Sequence, residues 1–293
     1  MKSGKSVVLA ISVLASVVAI ILLPESVGAV PQFVSIDYPG AMTTEVYKIA
    51  NNGDAIGTYI DSEFRVHGFR WSEGQLTSID IPDAIGTSAF GINDRGDIVG
   101  AYGAGNRNHG FVLSGSSVTT LDVPNARHTL AYAINNRREV FGAYVDQDGI
   151  FQGFIYDRGS FRTISFSSEL NTFVYGGNAR GDFAGSYIGP NGPHSVTYYG
   201  FVGSGDSITT INLGALTEVS DISDNGIIVG DYVDDPFSSA VHGFIMTSDG
   251  VMVHDFPGAF RTFVKGINND GWAVGSYNDM NNQYQRHGFI STP

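Results

Sequence analysis

Four histidines stand directly before a Gly-Phe pair, and an aspartate follows three of them thirteen residues later. A histidine beside a carboxylate could act as a general base or hold a metal ion. In two further copies Gln152 and Tyr199 replace the histidine, and Ser165 and Asn212 replace the aspartate. Histidine and aspartate are therefore kept or lost together. The pairs are His67–Asp80, His109–Asp122, His242–Asp255 and, across the chain ends, His287–Asp37.

A structural role explains these pairs better than catalysis. A hairpin places the two members opposite each other on one sheet face, where such a pair contributes about 0.2–1 kcal/mol. An active site needs a single constellation that departs from the repeat, so we predict no catalytic residue among them.

Familiar catalytic and cofactor motifs are missing from the sequence. It has no Gly-x-Ser-x-Gly elbow, no Walker loop, no His-Glu-x-x-His and no cysteine. The net charge of −13 argues against a nucleic-acid partner. Asp146 and Asp148 resemble the opening of a calcium loop, but Asp157 stands where that loop carries glutamate. We therefore predict no cofactor, with calcium as the alternative to loop charges that bond their own backbone.

Residues that break the repeat are the candidate ligand contacts. Exposed aromatic rings beside polar groups suit sugar rings, although the same aromatics could fold back onto the protein. Glu45, Glu169 and Glu218 are isolated acids, and a glycosidase needs two converging carboxylates. The candidate ligand-binding residues are Arg127, His128, His194, Tyr198, Phe237 and Arg261.

The elements that must position these residues repeat six times. Gly-x-Tyr and Gly-Phe each occur six times, and the Gly-Phe phenylalanines are 42 to 47 residues apart. Blades of β-propellers have this period. Each unit predicts four short strands, and no segment after residue 30 has a helical period. We predict an all-β, six-bladed β-propeller over residues 30–293, with units of about 44 residues at 33–76, 77–118, 119–160, 161–207, 208–251 and 252–293.

The His287–Asp37 pair predicts how the ring closes. The last strand, near residues 286–291, should pair with the first, near residues 33–38, which removes exposed sheet edges. Because strand direction alternates, tight turns fall on one face. The variable loops and the crossovers between sheets fall on the other, which we call the loop face.

The units resemble those of the bacterial extracellular HAF-repeat proteins. The resemblance covers roughly residues 33–290 and is carried by Ile36–Ala41, Gly91-Ile92-Asn93, Ile98-Val99-Gly100 and His242-Gly243-Phe244, with glycine in place of the alanine of the family's motif. It implies an exported β-propeller and no established activity.

The first 29 residues read as a signal peptide. Lys2 and Lys5 precede an apolar run over residues 7–23, and Val27-Gly28-Ala29 suits cleavage. We therefore expect a secreted or periplasmic protein without a membrane span, and a monomer. An uncleaved N-terminal anchor is the alternative.

These features predict a secreted binding or scaffold module for an extracellular glycan or protein, with the ligand on the loop face or at the mouth of the channel. The alternative is an enzyme that acts on extracellular polysaccharide, a hydrolase or lyase with its site at the channel mouth. Two carboxylates about 5–10 Å apart in the channel would favour the enzyme. A purely structural surface protein is a third reading.

Overall fold

The fold is a six-bladed β-propeller. The computed structural model describes residues 31–190, 196–280 and 285–293, so the predicted signal peptide lies outside the described residues. In these ranges the chain forms 24 strands, and no helix is long and apolar enough to cross a membrane. The strands are β1 (Gln32–Ile36), β2 (Thr43–Ile49), β3 (Ala55–Ile60), β4 (Val66–Ser72), β5 (Gln75–Ile79), β6 (Thr87–Ile92), β7 (Ile98–Ala104), β8 (Arg107–Ser114), β9 (Ser117–Leu121), β10 (His128–Ile134), β11 (Val140–Val145), β12 (Phe151–Asp157), β13 (Ser160–Ile164), β14 (Thr172–Gly177), β15 (Asp182–Pro190), β16 (Val196–Ser204), β17 (Ser207–Ile211), β18 (Leu216–Ile222), β19 (Ile228–Val233), β20 (His242–Thr247), β21 (Gly250–Val253), β22 (Ala259–Ile267), β23 (Ala273–Asp279) and β24 (His287–Thr292).

Six antiparallel sheets of four strands form the blades. Blades 1 to 5 are β2–β5, β6–β9, β10–β13, β14–β17 and β18–β21, and blade 6 joins β22–β24 to β1. The first strand of each sheet (for blade 6, β22) contacts the first strands of both neighbouring sheets. These six inner strands therefore surround the central channel.

The predicted ring closure is confirmed. β1 pairs antiparallel with β24 from Gln32 opposite Thr292 to Ile36 opposite Gly288. Both ends of the propeller thus share blade 6, which leaves neither terminal strand unpaired.

The Gly-x-Tyr and Gly-Phe signatures depend on each other. In blade 1, a Cβ on Gly57 would lie 2.0 Å from the Glu45 carbonyl oxygen and 2.7 Å from the Phe69 ring. The phenylalanine can fill the sheet only because the glycine leaves that space. All six of these phenylalanines are fully buried: Phe69, Phe111, Phe154, Phe201, Phe244 and Phe289.

The turns between the first two strands of each blade, which include Asn93 and Asn135, link neighbouring blades. The Asn93 side chain donates to the Asn135 carbonyl at 3.2 Å, and Asn135 donates to Asn178 at 2.9 Å. Arg138 keeps the turn geometry of the glycine it replaces, at φ 67°. Its guanidinium donates to both carboxylate oxygens of Asp97 at 2.9 and 3.0 Å, which offsets the backbone strain.

Candidate functional site

The four His–Asp pairs lie on four different blades. Their Nδ1-to-carboxylate distances are 2.8 Å for His67, 2.7 Å for His109 and His242, and 2.9 Å for His287. Each histidine also lies against the tyrosine of its Gly-x-Tyr triplet, as in the 4.9 Å contact of His67 with Tyr59. This geometry repeats one strand-to-strand contact four times and assembles no common site.

Three of the six candidate ligand residues contact neighbouring loops. Arg127 donates from Nη2 to the Gln147 carbonyl, and His128 accepts the Asn108 backbone N–H at 3.0 Å. Arg261 donates from Nε to the Ser239 carbonyl at 2.6 Å. Each contact joins two segments of the loop face, and the three do not converge.

The other three candidate residues differ in their surroundings. His194 lies outside the described residues. Phe237 is 95% exposed at the tip of the loop between β19 and β20. Tyr198 borders a cavity of about 290 Å³ at the loop-face end of the channel. Among the five candidates that the structure describes, only Tyr198 therefore lies where charged residues gather.

The Asp146 loop is closed by its own hydrogen bonds. Oδ1 of Asp146 accepts the N–H groups of Asp148 at 3.0 Å and Ile150 at 2.9 Å, and Oδ2 accepts Gln152 at 3.3 Å. In the described residues no group of three acidic or histidine side chains could hold a metal ion. The calcium hypothesis remains a prediction without a further ligand in its favour.

One side of the channel is aromatic. The inner strands of blades 1 to 4 place aromatic residues at equivalent positions. Their ring centroids follow each other at 5.2, 5.4 and 5.1 Å, around four of the six blades. These residues are Tyr47, Phe90, Tyr132 and Tyr175.

The other side of the channel is charged. At the equivalent position blade 6 carries Lys265, whose ammonium donates to Glu218 at 2.6 Å and to Asp231 at 2.9 Å. Glu218 lies on β18, Asp231 on β19 and Lys265 on β22. Two carboxylates from blade 5 thus converge on one ammonium from blade 6.

A second ion pair borders the same cavity. Arg286 donates to Oε1 of Glu45 at 2.7 Å, and the Tyr47 hydroxyl donates to Oε2 of Glu45 at 2.7 Å. The Arg286 guanidinium lies 4.5 Å from the centre of the Phe263 ring. This cation–π contact holds the guanidinium beside the cavity.

Burial decides the electrostatics of these groups. Desolvation raises the pKa of Asp231 to about 6, and the nearby Lys265 only partly opposes it. The two carboxylates raise the pKa of Lys265 above its usual value despite the opposing effect of burial. Burial, with the Glu218 charge as a second cause, also raises the pKa of Tyr175. Asp231 therefore gains a proton at a higher pH than an ordinary aspartate does.

The face opposite the loop face carries the tight turns, and we call it the turn face. Towards this face, a buried salt bridge crosses the channel. The Lys48 ammonium lies 2.8 Å from Oδ1 of Asp221 and donates to the Ser220 carbonyl at 2.9 Å. Asp221 also accepts the Ile267 backbone N–H at 3.1 Å. Blades 1, 5 and 6 meet at this bridge.

Apart from Tyr198 and Glu218, the cavity joins residues that the sequence analysis did not select. Asp231 stands where the other Gly-x-Tyr triplets carry Thr, Ala or Ser, and Lys265 stands where four units carry aromatics. Those substitutions within the repeat were a usable signal. The cavity combines aromatic faces with paired charges, an arrangement that can bind a polar ligand through hydrogen bonds and ring contacts. Its lining consists of Tyr198, Leu216, Glu218, Asp231, Val233, Val241, Phe263, Lys265 and Arg286.

Comparison with known proteins identifies the fold and nothing finer. No family model matches this chain, and no curated protein matches it. The resemblance to HAF-repeat proteins therefore remains a prediction. A solved structure of a candidate gluconolactonase is 11% identical, with 90% of this chain and 93% of that chain covered and a TM-score of 0.50.

Two other solved propellers are similar at lower scores. The β-propeller domain of the Trilobed protease from Pyrococcus furiosus is 10% identical over 86% of this chain and 94% of its own, with a TM-score of 0.48. A fucose-specific lectin from Aleuria aurantia is 15% identical over 72% of this chain and 76% of its own, with a TM-score of 0.44. At 11% identity, the similarity to the gluconolactonase structure supports the propeller architecture alone.

Proposed function

We propose that this chain is a binding module and that its ligand, an extracellular glycan, enters the loop-face mouth of the channel. One observation carries the proposal. Four charged residues, Glu218, Asp231, Lys265 and Arg286, face one cavity beside the Phe263 and Tyr198 rings. A rigid scaffold with repeat-breaking residues at one mouth is a common arrangement for binding.

The chemistry of the cavity suits a sugar with free hydroxyl groups. Aromatic faces contact the C–H groups of sugar rings, carboxylates accept from hydroxyls, and cations donate to ring and hydroxyl oxygens. Arg286 pairs with Glu45, and Lys265 pairs with both Glu218 and Asp231, so two cations face three carboxylates and their net charge is small. A ligand without strong net charge fits them best. The predicted signal peptide supports an extracellular ligand.

A glycan array followed by calorimetry tests the proposal. Phe263→Ala and Arg286→Gln should each weaken binding of a retained glycan at least tenfold, because they remove one ring face and one donor from the mouth. Arg158→Gln makes the same charge change on an arginine whose side chain is 90% exposed and should leave binding unchanged. An array without any retained glycan, or full affinity in both cavity variants, would contradict glycan binding at this mouth.

A polysaccharide-acting hydrolase or lyase is the second candidate. The convergence of Glu218 and Asp231, with the raised pKa of Asp231, favours it. The Lys265 ammonium lies between these carboxylates and engages both, which favours binding over catalysis. Release of new chain ends from a polysaccharide panel, lost in Glu218→Gln, would select the enzyme. If the unaltered chain releases no new chain ends, the hydrolase or lyase candidate is excluded.

A further inference from the structure

Three exposed apolar side chains lie on the loop face at blade 1 and at its junction with blade 2, apart from the residues that line the cavity. They are Met42, Phe64 and Ile85, which are 41%, 75% and 70% exposed, and we call them the patch. The Met42 N–H donates to the Ile60 carbonyl at 2.8 Å, so Met42 lies at the loop-face end of β3. Phe64 lies in the loop that follows β3. A Cβ on Gly86, next to Ile85, would lie 3.3 Å from the Val66 carbonyl oxygen at the start of β4, so the third member lies near the same end of blade 1.

Phe64 is exposed and its backbone conformation is strained. Its φ is 63°, in the left-handed region that non-glycine residues rarely adopt. The equivalent loop of blade 3 has Gly149 at this position, with φ 87°. In both loops the backbone N–H donates to the carbonyl of the aspartate that opens the turn, Asp61 at 3.0 Å or Asp146 at 3.2 Å. The same turn thus carries a glycine in one blade and an exposed, strained phenylalanine in the other.

The patch is fixed before any partner arrives. Asp61 accepts the N–H groups of Glu63 at 2.8 Å and Arg65 at 2.9 Å, and its other oxygen accepts Nε of Arg65 at 2.8 Å. The Ile85 N–H donates to the Gly103 carbonyl at 2.8 Å. Anchors on a rigid backbone lose little entropy on binding, which raises the affinity of a protein contact.

The charges at its border are mainly acidic. The Glu63 side chain is 69% exposed beside Phe64, and Asp83, also exposed, precedes Ile85 by two residues. The Arg65 guanidinium already pairs with Asp61 and Glu63. The whole chain carries a net charge of −13. Apolar side chains on a fixed backbone, with carboxylates beside them, are complementary to an apolar groove that is bordered by basic side chains.

We propose that Met42, Phe64 and Ile85 form a docking surface for a partner protein that presents an apolar groove flanked by lysine or arginine. This function is separate from ligand binding at the channel mouth. Phe64 is the central anchor, because a strained and exposed aromatic residue occupies the turn position at which blade 3 has a glycine.

Selection of a random peptide library displayed on phage, against the immobilised full chain, tests the proposal. Enriched peptides should combine aromatic or aliphatic residues with lysine or arginine. Synthetic copies should bind Phe64→Gly at least tenfold more weakly, and their affinity should fall as salt rises. Phe64→Gly relieves the backbone strain, so its melting temperature should equal or exceed that of the unaltered chain.

A matched control is Met252→Ser, which removes a 60% exposed apolar side chain from the outer strand β21. Peptide binding should be unchanged in this variant. The proposal is overturned if no peptide is enriched, if peptides bind Phe64→Gly as tightly as the unaltered chain, or if the enriched peptides lack basic residues. Concentration-dependent self-association abolished by Phe64→Gly would instead assign the patch to a second copy of the chain.

Discussion

Asp231 shows how one substitution inside a repeat can create a site. It occupies the middle of a Gly-x-Tyr triplet and is buried against Lys265, where other blades carry a small neutral side chain. A buried carboxylate is costly unless it is paired. Lys265 and Asp231 therefore depend on each other, although they lie on different blades. A second pair, Arg286 with Glu45, joins the segment just before β24 to β2.

The raised pKa of Asp231 predicts a pH dependence of stability. Its folded pKa is about 6, above the ordinary value of 3.8 that applies in the unfolded chain. The folded state therefore binds this proton more tightly, so the stabilisation is complete below about pH 4 and is lost as pH rises through about 6. Urea unfolding from pH 4 to 7 should show this decline in the unaltered chain and a smaller one in Asp231→Asn.

The control for this prediction is Asp206→Asn, which removes the same charge from an exposed turn. Its unfolding free energy should follow that of the unaltered chain across the pH range. Parallel curves for the unaltered chain and Asp231→Asn would show that Asp231 has no raised pKa in the folded state.

At the scale of elements, the blades are joined by turns as well as by apolar packing. On the turn face the Asp94 backbone N–H donates to the Asn136 side chain at 3.0 Å, and the Asp224 N–H donates to Asn269 at 2.9 Å. Asn269 in turn donates from its backbone to Asn51 at 2.9 Å. At the equivalent position blade 4 has Ala179, whose side chain cannot accept a hydrogen bond. This series of hydrogen bonds from backbone N–H to side chain is therefore interrupted between blades 3 and 4, where the Asn135–Asn178 hydrogen bond remains.

Ala179→Asn should complete this series and stabilise the propeller. The new side chain can accept the Asn136 backbone N–H as its counterparts do in other blades. One such bond contributes about 0.5–1.5 kcal/mol, which corresponds to a rise of a few degrees in melting temperature. Thermal unfolding followed by circular dichroism measures it. Ala179→Val, which cannot accept, serves as the control, and an equal rise in both variants would contradict the hydrogen-bond explanation.

At the scale of the whole molecule, closure in blade 6 joins the chain ends without a covalent link. There is no cysteine to form a disulfide. The five-residue ladder between β1 and β24 and the 2.9 Å contact of His287 with Asp37 hold the ends together. His254 adds a hydrogen bond from blade 5 to Ser291 in β24, at 2.7 Å. The loss of β24 therefore affects more than one blade interface.

Removal of residues 286–293 should abolish cooperative unfolding. It deletes β24, leaves β1 without its partner and exposes the edge of β23. A melt recorded by near-ultraviolet circular dichroism should lack a sharp transition. Asp37→Ala is the matched control, because it removes the pair and keeps the strand, and it should lower the melting temperature only slightly. A truncated chain that melts like the full one would contradict closure through β24.

Patterns within each copy were enough to predict the blades, their number, the closing strand and the His–Asp partners. Those features depend on residues near each other in the chain, or on the repeat itself, so spacing reveals them. Gly-x-Tyr and Gly-Phe, for example, mark two neighbouring strands that must pack together.

Only the tertiary structure decided which repeat-breaking residues share a site. Glu218 and Lys265 are 47 residues apart, and Glu45 and Arg286 are 241 apart, yet both pairs border one cavity. Their convergence depends on the rotation of each blade about the axis and on the inward direction of the first strands. Arg127, His128 and Arg261 break the repeat just as clearly, but their positions at blade edges direct them to neighbouring loops. The amino-acid sequence alone determines the departures from the repeat, and the closed ring determines which of them meet.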